Sequence, residues 1–380
     1  MPKILLLGGT GAMGVYLVPE LLRMGHDVAV TSRSARVSDN EKLTYIRGNA
    51  RDDDFLAGTI RGHYDAIVDF MVYPTTEFHR RHELLLKNTG HYVFLSSCRV
   101  FAESDRPMTE ASPRLLDVSK DREYLATEEY ALAKARQENI LRESRHRNWT
   151  IVRPAITYSR NRFQLGTLEA DMIVFRASCH CPVILPREML RKQTTMTWGG
   201  DVARMIARLV CANNVFAEDY NACTGEHRTW EEVARYYKEL IGLTVVPVEL
   251  DAYIKIMGGK YQVLYGRMID KIMDNSKILN ATGMRNADLM SIRDGLAREL
   301  AEHSTGRRTV RPDYETNAKI DRITHSHISM KHASVKERVI YYGSYIGIQG
   351  WLRSIRRSMK KRHPVVAGDV CDDLRKKRGG

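Results

Sequence analysis

The 380-residue chain contains no apolar run of eighteen residues, so no segment is long enough to cross a bilayer as a helix. It opens on "MPKILLLGG" without the charged, apolar and small-residue regions of a secretory signal, and the expected address is cytoplasmic. Cysteines are few and unpatterned. The six of them, Cys98, Cys179, Cys181, Cys211, Cys223 and Cys371, show no disulfide-framework spacing, as suits a reducing compartment. "CHC" at Cys179 to Cys181 lacks a second pair of ligands, which argues for plain thiols and against a metal. There is no internal repeat and no low-complexity linker before residue 305.

Charge is plentiful but unevenly placed. The net charge is +13, and residues 305–380 hold 18 Lys and Arg against 7 Asp and Glu, which leaves residues 1–304 near +2. The body is almost neutral, and the tail is the basic object.

Apolar content of 43% is enough for a full core, and its pattern alternates. "KILLLGG", "DVAVTSR", "LTYIRGN", "YDAIVDFMVY", "HYVFLSS" and "WTIVRP" are short apolar runs. Between them, "GVYLVPELLRMG", "HRRHELLLKNTG" and "ATEEYALAKARQENILRES" have helical spacing. Strands and helices at this tempo predict right-handed βαβ units and a doubly wound parallel α/β sheet, a Rossmann fold. From about residue 155 the rhythm changes to longer helices ("GDVARMIARLV", "TWEEVARYYKELIG") and short strands ("TVVPVEL"). The expected organisation is a dinucleotide-binding domain over 1–154, to which some later segments return. A smaller substrate-binding portion follows over 155–304, and a basic helical extension over 305–380.

Gly8, Gly11 and Gly14 form GxxGxxG between the first strand and the first helix. Bare backbone amides there can approach a pyrophosphate closely, and the helix N-terminus adds about half a positive charge. At the end of the second strand, "TSRSAR" offers Ser32, Arg33 and Arg36 where an NAD site usually has an acid, which favours NADP over NAD.

The glycine spacing, "RGNARDDD", "YDAIVDF", "YVFLSSCRVF", "YALAK" and "IVRPAITY" follow one another as in the extended short-chain dehydrogenase/reductases. The chain resembles that group, the epimerase/dehydratase family that includes UDP-galactose 4-epimerase, over roughly residues 1–300. The resemblance implies that Gly8, Thr10, Gly11, Met13, Gly14, Ser32, Arg33, Asn49, Ala50, Phe70, Lys134 and Pro154 hold the cofactor, and that Ser97, Tyr130 and Lys134 carry the chemistry. Tyr130 and Lys134, four apart on a predicted helix, share one face. A phenol with an ordinary pKa near 10 needs a cation beside it to act as a base, and Lys134 is the expected one. Tyr130 then exchanges the hydroxyl proton while Ser97 bonds the same oxygen.

Departures from the family pattern narrow the reaction. Cys98 and Arg99 follow Ser97 where 4,6-dehydratases carry an Asp-Glu pair, so dehydration is disfavoured and a reductase or epimerase is expected. Cys98 itself reads as packing. A nucleotide sugar is the substrate implied by the resemblance, with Arg187, Arg191, Lys192 and Arg267 as candidates for its diphosphate. The rivals are an NAD-dependent 4-epimerase without net redox, and an RNA-binding protein like the chloroplast stem-loop binders, which "GGTGAMG" and "TSRS" also resemble. The intact Ser97, Tyr130 and Lys134 argue against the binder, and nucleic acid is not the expected partner. A homodimer through paired helices is common in the group. In the tail, Tyr341, Tyr345, Ile348, Leu352, Ile355 and Met359 fall at helical steps over 338–363. That stripe is expected either to lie on an anionic membrane surface or to pack against protein.

Overall fold

β1 (Lys3–Leu7) is apolar at four successive positions, and all four are buried. Alternation sends Ile4 and Leu6 to one face of the sheet and Leu5 and Leu7 to the other, so both faces need cover. α1 (Gly14–Arg23) covers the first face with Leu17, Val18 and Leu21, beside the helix Gly199–Leu209. α2 (Asp53–Ile60) and α3 (Thr75–Lys87) cover the second through Leu56, Phe78 and Leu85.

The other strands are β2 (Asp27–Ser32), β3 (Leu43–Arg47), β4 (Tyr64–Asp69), β5 (Thr89–Leu95), β6 (Trp149–Pro154) and the later strand Glu218–Ala222. Seven parallel strands make one sheet in the order Glu218–Ala222, β6, β5, β4, β1, β2, β3. The chain order reverses between β1 and β4, with Leu5 beside Ile67, and a crevice opens at their carboxyl ends. Single-turn helices α4 (Leu115–Val118) and α5 (Arg122–Leu125) lead into α6 (Tyr130–Glu143), which runs back along the second face. The architecture is the doubly wound parallel sheet that the sequence pattern predicts.

The computed structural model describes residues 1–160, 162–210, 212–305 and 312–347, and the chain divides into two compact units, 1–311 and 312–380. In the second unit, helices Tyr314–Thr324 and Val335–Tyr345 pack together. Asp321, fully buried, accepts from Tyr341 Oη at 2.6 Å, Ser326 Oγ at 2.7 Å and the Ile328 amide at 2.9 Å. The predicted helix over 338–363 therefore differs in part. It starts earlier, at Val335, and ends at Tyr345, because Gly347 turns the chain with φ +84°. Tyr341 packs on the extension's own first helix, while the rest of the stripe beyond Gly347 lies outside the described residues. No helix among the described residues is long and apolar enough to cross a membrane.

Candidate active site

The loop after β1 is held from both ends. The Gly8 amide donates to Thr31 Oγ1 at 2.9 Å, which ties the loop to β2. A Cβ on Gly14 would lie 2.1 Å from the Gly9 carbonyl oxygen, so α1 can start this close to β1 only with glycine there. At Gly11 an added Cβ would meet nothing within 4 Å, because that glycine faces a cavity of about 330 Å³. The cavity brings together Gly8, Thr10, Gly11, Ser32, Arg33, Asn49 and Ala50 from three loops. Arg51 lines it too, and no acid does. Ser32 donates to the Ser34 carbonyl at 2.9 Å, and Arg36 stacks on Tyr45.

Five predicted cofactor residues, Met13, Gly14, Phe70, Pro154 and the Lys134 described below, stand outside that lining. Met13 is the N-cap of α1 and packs on the core, Gly14 is the helix start, and the Phe70 amide extends the β1–β4 ladder to Leu7 O at 3.0 Å. Pro154 closes β6 opposite Ala222.

Ser97 follows β5 in extended conformation and caps the turn Cys98–Val100, accepting from the Arg99 amide at 3.2 Å. Tyr130 is the first residue of α6 because the N-cap carboxylate of Glu129 accepts from the Ala131 amide at 2.8 Å. Helix and strand are locked together beneath them. Ser96 Oγ donates to Glu138 Oε1 at 2.6 Å, and Arg153 grips both oxygens of that fully buried carboxylate at 2.7 and 2.9 Å. The result is that Ser97 and Tyr130 line one cavity together, with Ser97 favouring the ionised Tyr130 hydroxyl.

Lys134 lies one turn further along α6 and is 2% exposed. Its Nζ is 3.4 Å from the Met71 carbonyl and 4.4 Å from the centre of the Phe94 ring. Burial pushes its ammonium down to about 8, against the pull of Asp69 and Glu138. Burial also raises the Tyr130 hydroxyl, and the groups that draw it back are Arg99, Arg162 and Ser97. The cation stacked on the phenol is Arg99, 5.3 Å from the ring centre, whereas the sequence points to Lys134. The reason is direction: the Lys134 side chain runs toward the sheet, where Asp69 supplies its countercharge.

Asp69 joins the site although the sequence motifs assign it no role. It ends β4, is 1% exposed, and accepts from the Met71 amide at 2.9 Å and Tyr92 Oη at 2.8 Å. The signal in the sequence is an acid closing the apolar run Ala66, Ile67 and Val68. Arg162 and Gln164, which share a second cavity of about 280 Å³ with Ser97, Tyr130 and Arg267, had none. Arg187 is paired with Glu249 and Lys192 with Glu103, and neither lines that cavity.

Residues 8–177 match a family described as NAD(P)H-binding. UDP-glucuronic acid 4-epimerase from Bacillus cereus superposes with a TM-score of 0.62 at 15% identity, covering 80% of this chain and 99% of that one. dTDP-glucose 4,6-dehydratase from Bacillus anthracis gives 0.63 at 15% identity, covering 81% and 98%. UDP-glucose 4-epimerase from Thermus thermophilus gives 0.60 at 20% identity, covering 80% and 100%. The fold is that of these epimerases and dehydratases. The GxxGxxG loop opens the stretch matched by the NAD(P)H-binding family, and the cavity at Tyr130 lies beyond the loop along the same sheet edge. A curated relative, the chloroplast stem-loop binding protein of 41 kDa b from Arabidopsis thaliana, is 26% identical over 171 residues. The match spans 41% of this chain and less than half, 42%, of that relative.

Proposed function

We propose that the protein is an NADP-linked oxidoreductase or epimerase acting on a hydroxyl or keto group of a sugar-like substrate. The observation that carries the reading is that Ser97 and Tyr130 line one cavity, with the buried Lys134 ammonium one helical turn away. The residues fit a dinucleotide. Gly11 leaves room for close backbone approach, and Lys134 has a donor to spare for a ribose hydroxyl. Two arginines and no acid in the first cavity favour a 2'-phosphate over a free 2'-hydroxyl. When bound, the nicotinamide supplies or accepts hydride.

The chain's own groups handle the proton. Tyr130 Oη gives a proton to the substrate oxygen in reduction and takes it in oxidation. Ser97 orients that oxygen by hydrogen bonding, and Arg99 over the ring stabilises the phenolate form. Lys134 would hold the cofactor's ribose, which makes its contribution to Tyr130 positional. The solved epimerases and dehydratases of this fold include complexes with nucleotide sugars, and a nucleotide sugar is the substrate class this likeness supports.

Purified protein with NADPH and a panel of nucleotide sugars and their keto forms tests the reading. Consumption of NADPH that disappears in Tyr130→Phe supports net reduction. Conversion between sugar epimers without net cofactor consumption supports the epimerase form, and loss of neither activity in Tyr130→Phe refutes the relay. The stem-loop relative favours a second reading, RNA binding on the same fold. Tight, salt-sensitive binding of structured RNA by a protein inert toward every sugar would decide for it.

A further inference from the structure

Three guanidinium groups, those of Arg99, Arg162 and Arg267, converge on the cavity of about 280 Å³ around Ser97 and Tyr130, and among the described residues no carboxylate lines it. The acids that touch these arginines stand behind the wall. Glu129 pairs with Arg99, and Glu169 reaches Arg162 at 3.4 Å. Arg267 is 3% exposed, and its described partners are neutral: the Gly166 carbonyl at 2.8 Å, the Gly266 carbonyl at 3.0 Å and Gln164 Oε1 at 3.5 Å. Burial, then Arg99 and Arg162, push its guanidinium down to about 10. Arg99 Nε is buried with no acceptor.

Loop anchoring explains part of this. Arg267 ties residues 164–166 to its own helix end, but neutral donors would make the same carbonyl bonds without mutual repulsion. Arg99 and Arg162 each have one acid behind the wall, but Arg267 has only neutral described partners and Arg99 keeps an unused donor where it stacks over Tyr130, so the cavity retains a net positive charge. An oxyanion in the cavity balances it, and guanidinium forks match the planar or tetrahedral oxygens of carboxylate and phosphate.

We propose that the substrate is an acid: a carboxylate or phosphate sits beside the carbon that reacts at Tyr130, held by Arg99 and Arg162 with Arg267 behind them. This rests on the oxidoreductase reading for the position of the reacting carbon, and on the arginines alone for the anion.

Calorimetry on the full-length protein with NADPH present, using glucuronate, glucose 6-phosphate, glucose and UDP as probes, separates the two. At millimolar concentrations glucuronate or glucose 6-phosphate is expected to bind and glucose is not, and the better acid tells carboxylate from phosphate. Arg162→Gln, at a half-exposed side chain, and Arg99→Gln are each expected to weaken that acid by about tenfold or more. Arg162→Lys should recover part of the loss, with NADPH affinity unchanged throughout. Glucose binding as well as its acids, unaltered acid binding in both variants, or no binding of either acid overturns the proposal. UDP binding that alone depends on Arg99 and Arg162 overturns it too, since the anion would then be a diphosphate away from the reacting carbon. Acids that bind but never exchange hydride with the cofactor leave the anion site standing and count against the oxidoreductase reading instead.

Discussion

The two cavities of the first unit have similar volumes, about 330 and 280 Å³, and opposite construction. The first is walled mostly by glycines and small residues from the loops that follow β1, β2 and β3, joined by Arg33, Arg51 and, after β4, Met71. The second is walled by long cationic side chains drawn from residues 99, 162 and 267. A site for a ligand shared by many enzymes can be specified by backbone shape, which neighbouring residues fix. A site for one substrate needs side-chain chemistry, and the fold supplies that from wherever the chain passes. The contrast predicts that damage to the second cavity alters catalysis with the fold intact, while damage to the glycines of the first acts through the backbone.

Tyr130→Phe is expected to give the largest effect. Removing the proton donor should lower turnover by about a hundredfold or more, while NADPH binding and the unfolding temperature stay near wild type. Steady-state kinetics beside a cofactor titration check it, and a parallel loss of cofactor affinity would mean that the cavities are not separable.

Glycine replacements break the comparison from the other side. Gly14→Ala forces a Cβ against the Gly9 carbonyl, backbone against backbone, and should destabilise the first unit by about 3 kcal/mol. Gly11→Ala meets nothing in the protein, so its stability should be unchanged or raised by about 0.5 kcal/mol. Its cofactor affinity should nevertheless fall. Thermal unfolding and fluorescence titration of both variants distinguish a folding glycine from a binding one three positions away.

The same contrast explains what the sequence could reveal. β1, β2, β4 and β5 are runs of apolar residues buried on both faces, and a glycine motif at fixed spacing needs no tertiary information to be read. Glu218–Ala222 is a sheet strand that periodicity does not mark. "EDYNA" buries polar groups, with Asp219 paired to Arg142 and Arg153 at 2.7 Å and Asn221 Nδ2 bonded to the Met108 carbonyl at 3.0 Å. Its edge position is stabilised by partners up to 113 residues away. Arg162 is likewise unremarkable in "RNRFQLG" and acquires meaning only beside Arg99 and Arg267. Tyr130 and Lys134 were legible as a helical pair, but which cation stacks on the phenol depended on the course of two side chains.

Arg33 sharpens the reading of the first cavity. It stands at the cavity wall where a 2'-phosphate would lie, and Arg33→Ser should weaken NADPH by about tenfold while leaving NADH within a factor of about two. Equal losses for both cofactors would assign the arginine to the shared diphosphate, and Arg51 would become the candidate for the 2'-phosphate.

The smallest effect concerns the ground beneath the second cavity. Lys271 is 4% exposed, donates to the Phe101 carbonyl, and is pushed down to about 8 by burial first and then by Arg267 and Arg99, against Cys98. In the unfolded chain the same ammonium titrates near 10.4. Between pH 8 and 10.4 the unfolded state therefore binds more protons than the native one, and stability rises with pH across that window. From pH 7 to 9 the gain from this one group is about 1 kcal/mol. Lys271→Met should remove that part of the slope, so that the wild-type and variant unfolding free energies converge as the pH is raised from 7 to 9. Denaturant unfolding at the two pH values reads the difference. Curves that stay parallel would mean that Lys271 keeps its charge in the native state at an ordinary pKa, and that the cations around the second cavity repel one another less than their placement implies.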